Sequence, residues 1–95
     1  MPAYLIADVE VHDQDIYAEY RRQVLPLVQQ YGGRFIVRGG PLEVLEGAWK
    51  PQRVVVIEFP DLATLKAWYN SPEYAKLVAL RQGCSRGSLI AVEGA

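Results

Sequence analysis

The sequence predicts an α+β fold with strands and helices in the order β-α-β-β-α-β, and three stretches carry that expectation. Residues 3–11 (AYLIADVEV) alternate apolar and polar like a half-buried strand. Residues 53–59 (RVVVIEF) form a β-branched run that is apolar on both faces apart from Glu58. Between and after them lie segments with helical periodicity, each with its own start and stop signal.

Along the first strand, Leu5, Ala7, Val9 and Val11 share one face, and Tyr4, Ile6, Asp8 and Glu10 share the other. Asp13 or Asp15 can cap the helix that follows by accepting from unpaired N–H groups. Ile16, Tyr20, Val24, Leu27, Val28 and Tyr31 are expected to form its buried stripe. Gly32-Gly33 closes it, and Pro26 inside it predicts a kink. Residues 34–38 (RFIVR) alternate again until Gly39-Gly40-Pro41, and 42–46 (LEVLE) read as an irregular edge segment. After 53–59, Pro60 ends the strand and Asp61 caps a helix that buries Leu62, Leu65, Trp68 and Tyr69. Ser71-Pro72-Glu73 restarts it, so the second helix is broken there, with Tyr74, Leu77, Val78 and Arg81 on one face. Residues 88–93 (SLIAVE) are the last strand.

This is the ferredoxin-like arrangement, with both helices on one side of an antiparallel four-stranded sheet. If Leu5, Ala7, Val9, Phe35, Val37, Val55, Ile57 and Phe59 face the helices, the other side carries Tyr4, Ile6, Asp8, Ile36, Arg38, Val54, Val56 and Glu58. So apolar a face is poorly suited to water. Covering it with a second copy is worth on the order of 10 kcal/mol before association costs, which predicts a face-to-face homodimer.

Composition narrows the function classes. Ninety-five residues make one domain, 1–95, too short for a second core. A net charge of −1 gives no electrostatic reason to expect nucleic acid or an anionic membrane as partner. No apolar stretch is long enough for a span or a signal-peptide core. The single Cys84 cannot form an intrachain disulfide, which fits a reducing compartment and makes the cytoplasm the expected location. His12 is the only histidine, so no metal is expected, and neither glycine pair has the strand–GxGxxG–helix context of a phosphate loop.

Several blocks are similar to a known family: Tyr31-Gly32-Gly33-Arg34, Arg38-Gly39-Gly40, residues 46–60 (EGAWKPQRVVVIEFP), residues 67–74 (AWYNSPEY), Arg81, and Glu93-Gly94. Together they resemble the domain-of-unknown-function family thirteen-thirty from Tyr4 to Gly94. The resemblance implies the dimeric α+β barrel fold, in which two ferredoxin-like units pair through their sheets. It implies no activity for this branch, although other branches of the group include cofactor-free oxygenases, isomerases and ligand-binding domains.

The charged residues on the expected dimer-facing side are the best chemical lead. There Arg38 could grip a carboxylate or enolate, with Glu58 or Asp8 as a base. The plainer alternative is an ion pair that fixes dimer register. Trp49 could wall a pocket beside which Arg53 anchors an anion, or it could pack the sheet end while Arg53 pairs with Glu46. Tyr69, Ser71 and Tyr74 could offer hydroxyls at a helix start, though capping accounts fully for Ser71 and helical stripes for the tyrosines. Arg81 reads as a helix-end arginine, His12 as a surface histidine and Cys84 as an inert thiol in a loop.

The expected function is a homodimer with one cleft per subunit between helices and sheet, taking a small anionic or enolisable molecule without cofactor. As an enzyme it would be isomerase- or oxygenase-like, with Glu58 or Asp8 as base and Arg38 or Arg53 stabilising negative charge. The alternative is a non-catalytic binding or assembly module whose buried charges only hold the homodimer together.

Overall fold

A computed structural model describes all residues, 1–95. Its elements are β1 (Ala3–Val11), α1 (Gln14–Gln30), β2 (Arg34–Arg38), β3 (Val54–Phe59), α2 (Leu62–Tyr69), α3 (Pro72–Cys84) and β4 (Ser85–Glu93). The strands lie in the order β2-β3-β1-β4, each antiparallel to its neighbour. That is the ferredoxin-like topology expected from the sequence, with the second helical stretch divided at Ser71.

Local chemistry explains the boundaries. Asp13 caps α1, its Oδ1 accepting from the N–H groups of Asp15 and Ile16 at 3.1 Å each. Asp61 caps α2 by accepting from Thr64 N–H at 2.7 Å, and the Thr64 hydroxyl, then that N–H, hold its carboxyl below the ordinary range. Ser71 serves two helices: its hydroxyl donates to the Trp68 carbonyl at 2.8 Å and accepts from Tyr74 N–H at 3.2 Å. Pro72 then occupies the first turn of α3, where its missing N–H costs nothing. α1 runs unbroken through Pro26, which sits on the exposed side.

Four details depart from the sequence expectations. The buried stripe of α1 is Tyr17, Tyr20, Val24, Leu27 and Val28, and Ile16 is turned out to solvent. Residues 42–46 form no strand and lie exposed in the connection between β2 and β3. β4 begins at Ser85 rather than 88, directly after α3, so Cys84 is buried at a helix end and not in a loop. Gly87 permits this extension, because a Cβ there would collide with the Asp8 carbonyl of β1.

The fourth departure reverses part of a face. In β2, Arg34 lies opposite Glu58 and Phe35 opposite Ile57, but then Val37 lies opposite Val56 and Arg38 opposite Val55. Residues directly opposite share a face of the sheet, so a bulge at Ile36 exchanges the sides of the last two residues. Val37, expected against the helices, joins Val56 on the outer face. Arg38, expected on the outer face, joins Val55 under the helices.

The layer between helices and sheet is densest around Trp68, Tyr74, Phe59, Leu65 and Val28, all with at most 2% exposure. The Trp68 ring lies 4.2 Å from that of Tyr74 and 5.3 Å from that of Phe59, within the range of favourable aromatic contact. No helix is long and apolar enough to cross a membrane.

Candidate functional site

Under the other half of α1 the same layer is hollow. A cavity of about 260 Å³ opens between α1, the helix-facing side of all four strands, and α3. Its floor is Leu5, Ala7 and Val9 of β1 with Val55 and Ile57 of β3, while Tyr17, Tyr20, Val24 and Leu25 of α1 form the roof. Phe35 and Leu89 stand at the two edge strands. Of the 17 lining residues 12 are hydrophobic, and the remaining five are all arginine: Arg21, Arg22, Arg38, Arg53 and Arg81. No carboxylate lines it.

These arginines are held in unusual ways. Only Arg22 has an acidic partner, the Glu19 carboxylate one turn before it on α1. The Arg38 guanidinium lies 4.6 Å above the Phe35 ring, and Arg53 and Arg21 lie 5.6 and 5.9 Å from the Tyr17 ring. Aromatic faces attract these cations without neutralising them. The side-chain Nε of Arg53 and that of Arg81 are buried without a hydrogen-bond partner. Arg81 as a whole is only 6% exposed. A buried guanidinium with no anion is costly, and Arg81 has only the neutral Tyr74 hydroxyl as a side-chain partner.

Backbone design supports Arg53 in particular. Gly39 has φ of 69°, a left-handed conformation that favours glycine, and a Cβ there would run into the Arg53 guanidinium. The turn after β2 thus makes room for that side chain. Beyond Arg81, the hydroxyls of Tyr20 and Tyr74 are 2.9 Å apart. Burial is the main force that pushes both phenols above their ordinary pKa, against the opposing field of Arg81. Both are therefore protonated at neutral pH, and Tyr20 lines the cavity as a neutral hydroxyl.

The sheet separates the other expected residues from this site. Asp8 is on the outer face, accepting from Trp49 Nε1 at 3.1 Å and from Gln52 N–H at 2.9 Å. Trp49 is 63% exposed and does not pack the sheet end. Glu58 is also on the outer face and pairs with Arg34 at 2.9 Å. Arg53 has no ion pair with Glu46. Tyr69 is partly exposed beside Trp68, and the Ser71 hydroxyl is used up in capping. Tyr74 reaches the cavity only through Tyr20. Of the expected set, the structure brings Arg38 and Arg53 together at the cavity.

Arg81 was missed because an arginine three residues from a helix end reads as a dipole partner. Its place on the stripe of Tyr74 and Leu77 was the available signal. Tyr20 was hidden as a core aromatic of the α1 stripe, and Tyr17 lay outside that stripe, which was expected to hold Ile16 instead. Cys84 is inert: its thiol is buried, and burial raises its pKa. His12 is half exposed and sits 3.3 Å from Glu10.

The outer face of the sheet is apolar at its middle and charged at its ends. Tyr4 and Ile6 of β1, Val54 and Val56 of β3, Val37 of β2, and Ile90 and Val92 of β4 share it by register. Ile90 is 58% exposed and Val92 43%.

Comparison with known proteins agrees with this architecture. A model for a domain of unknown function, DUF1330, matches residues 2–95. No curated protein matches the sequence. Among solved structures, a protein of unknown function from Rhodopseudomonas palustris is similar at 22% identity and a TM-score of 0.78, over 99% of this chain and 82% of that one. A dimeric ferredoxin-like protein of unknown function from a Jannaschia species is similar at 18% identity and a TM-score of 0.74, over 99% of this chain and 100% of that one. A cofactor-independent oxygenase from Streptomyces nogalater is more distant, at 10% identity and a TM-score of 0.58 over 99% and 93% of the two chains. At these identities the likeness speaks for the fold. With a family model covering nearly every residue, and the topology and sheet order that its sequence blocks implied, the chain belongs to the DUF1330 family, a domain of unknown function with a ferredoxin-like fold.

Proposed function

We propose that this protein is a homodimer in which each subunit binds one small organic anion in the cavity beneath α1. The observation that carries the reading is the lining: every charged residue there is arginine, and four of the five have no carboxylate partner. An apolar floor with a few convergent donors is the usual composition of a small-molecule site. At about 30 Å³ per water-sized group, the volume suits a ligand of roughly ten non-hydrogen atoms. Arginine forks recognise carboxylates with two parallel hydrogen bonds, and Tyr20 adds a neutral donor.

The pairing of two copies rests on the apolar middle of the outer face and on the dimeric Jannaschia relative. Because that face lies across the sheet from the cavity, ligand binding and pairing use different residues. This favours ligand binding over the alternative in which the charges only hold the dimer, at least for Arg38, which the bulge moves off the pairing face.

Chemistry on a bound ligand would follow from the same donors. Arginine and phenol groups aimed at a ligand oxygen stabilise negative charge developing there, as in an enolate. A base role for Asp8 or Glu58 requires a ligand on the outer face, between subunits, since the sheet stands between both carboxylates and the cavity.

A thermal-shift screen of small carboxylates, run beside light scattering on Arg38→Ala, tests the reading. Carboxylates should raise the melting temperature of the native protein, and Arg38→Ala should lose that response while remaining dimeric. A variant that turns monomeric, in a protein whose melting temperature no carboxylate moves, would support the assembly-module alternative instead.

A further inference from the structure

Of the three buried side-chain nitrogens without a hydrogen-bond partner, one is Trp68 Nε1 in the closed half of the layer, and the other two belong to arginines on different sides of the cavity. Arg53 precedes β3 and stands next to Arg38, which comes from the edge strand β2. Arg81 comes from α3, the helix that packs beside α1 and against β4, the opposite edge strand. Edge strands β2 and β4 are separated by β3 and β1, so they lie three strand spacings apart, about 14 Å at about 4.8 Å per step. Between the two cationic flanks the floor is made of the apolar side chains of β1 and β3.

Resting on the proposed anion site, we propose further that its ligand is a dianion, with two carboxylate-like groups joined by an apolar spacer. One group is held at the mouth by Arg38 and Arg53, and the other at the inner end by Arg81 with the Tyr20 hydroxyl. A monoanion at the mouth would leave Arg81 a buried cation with only the neutral Tyr74 hydroxyl as partner, a state that costs free energy. The spacer lies over Ala7 and Val55, where no polar group competes for it. Selectivity thus has two parts: charge at both ends, and a spacer length that lets both ends reach.

Isothermal titration with straight-chain α,ω-dicarboxylates from succinate to suberate, beside monocarboxylates of matched length, tests this. One intermediate diacid should bind at least tenfold more tightly than its matched monoacid, with weaker binding at shorter and longer spacers. Arg81→Met should reduce that diacid to the affinity of the monoacid and leave monoacid binding at the mouth intact. Should Arg81→Met fail to fold, Tyr20→Phe, which removes the hydroxyl at the inner end, should narrow the same diacid-to-monoacid ratio by weakening the diacid. Monoacids that bind as tightly as diacids at every length would overturn the two-ended ligand while leaving the anion site standing. If neither series binds, the anion site itself is overturned.

Discussion

The two halves of the layer beneath the helices are built from the same sheet and differ in what they hold. Around Trp68 the layer is closed: Phe59, Leu65, Tyr74 and Val28 pack to near-zero exposure, with ring centroids 4.2–5.3 Å apart. Under the first half of α1 it is open, and arginines stand where side chains of another kind would have filled it. Small Ala7 keeps the floor low, and Gly39 clears space for Arg53. A chain able to pack one half to crystal-like density has no need to leave the other hollow for stability's sake. The hollow half is therefore the one in which we propose that a ligand binds.

Substitutions in the two halves should have opposite signatures. The largest effect on stability belongs to the closed half: Trp68→Ala should cost about 3–5 kcal/mol in urea denaturation, enough to threaten folding of so small a domain. In the open half, Arg53→Met removes charge-assisted hydrogen bonds worth about 1.5–3 kcal/mol, so carboxylate affinity by titration should fall roughly ten- to a hundredfold. Its folding stability should change little, since the half-buried guanidinium has no carboxylate partner to lose and its Nε is buried without a hydrogen bond. Gly39→Ala should do both at once, losing about 1–2 kcal/mol from its left-handed backbone and displacing Arg53 from the site. The smallest effect on binding is expected for Ala7→Val, whose added methyl groups raise the floor, at a stability cost of at most about 1–3 kcal/mol.

Alkaline pH offers a further contrast. Tyr20 and Tyr74 have pKa values raised by burial from an ordinary 10.0. Their contribution to stability is complete below pH about 10 and lost as pH rises beyond it, because the unfolded chain can ionise while the folded one resists. Urea midpoints should fall as pH rises above 10, and the double variant Tyr20→Phe with Tyr74→Phe should flatten that slope.

Much of the fold was legible because local signals agreed with the global arrangement. The alternation of β1, the caps at Asp13, Asp61 and Ser71, and the β-branched run of β3 each pointed to the element that formed. The site was legible only in part. Arg38 and Arg53 stood out as cations beside sheet ends, but strict alternation put Arg38 on the wrong face. A bulge adds one residue to a strand without any mark in a five-residue sequence such as RFIVR, and every side chain after it changes sides. That single residue at Ile36 moves Arg38 away from Asp8 and Glu58, with which it had been grouped. Helical periodicity put Tyr20 and Arg81 on inward faces, but that they meet at one cavity depends on how α3 packs against α1, across some sixty positions of sequence.

NMR detection of arginine side chains during titration with adipate addresses the anion site most directly. The Nε–H resonances of Arg53 and Arg81 should shift together and gain protection from exchange, while that of Arg34 beside Glu58 stays where it is. Movement at Arg34 with Arg53 and Arg81 unchanged would place binding on the outer face and contradict the cavity as the site.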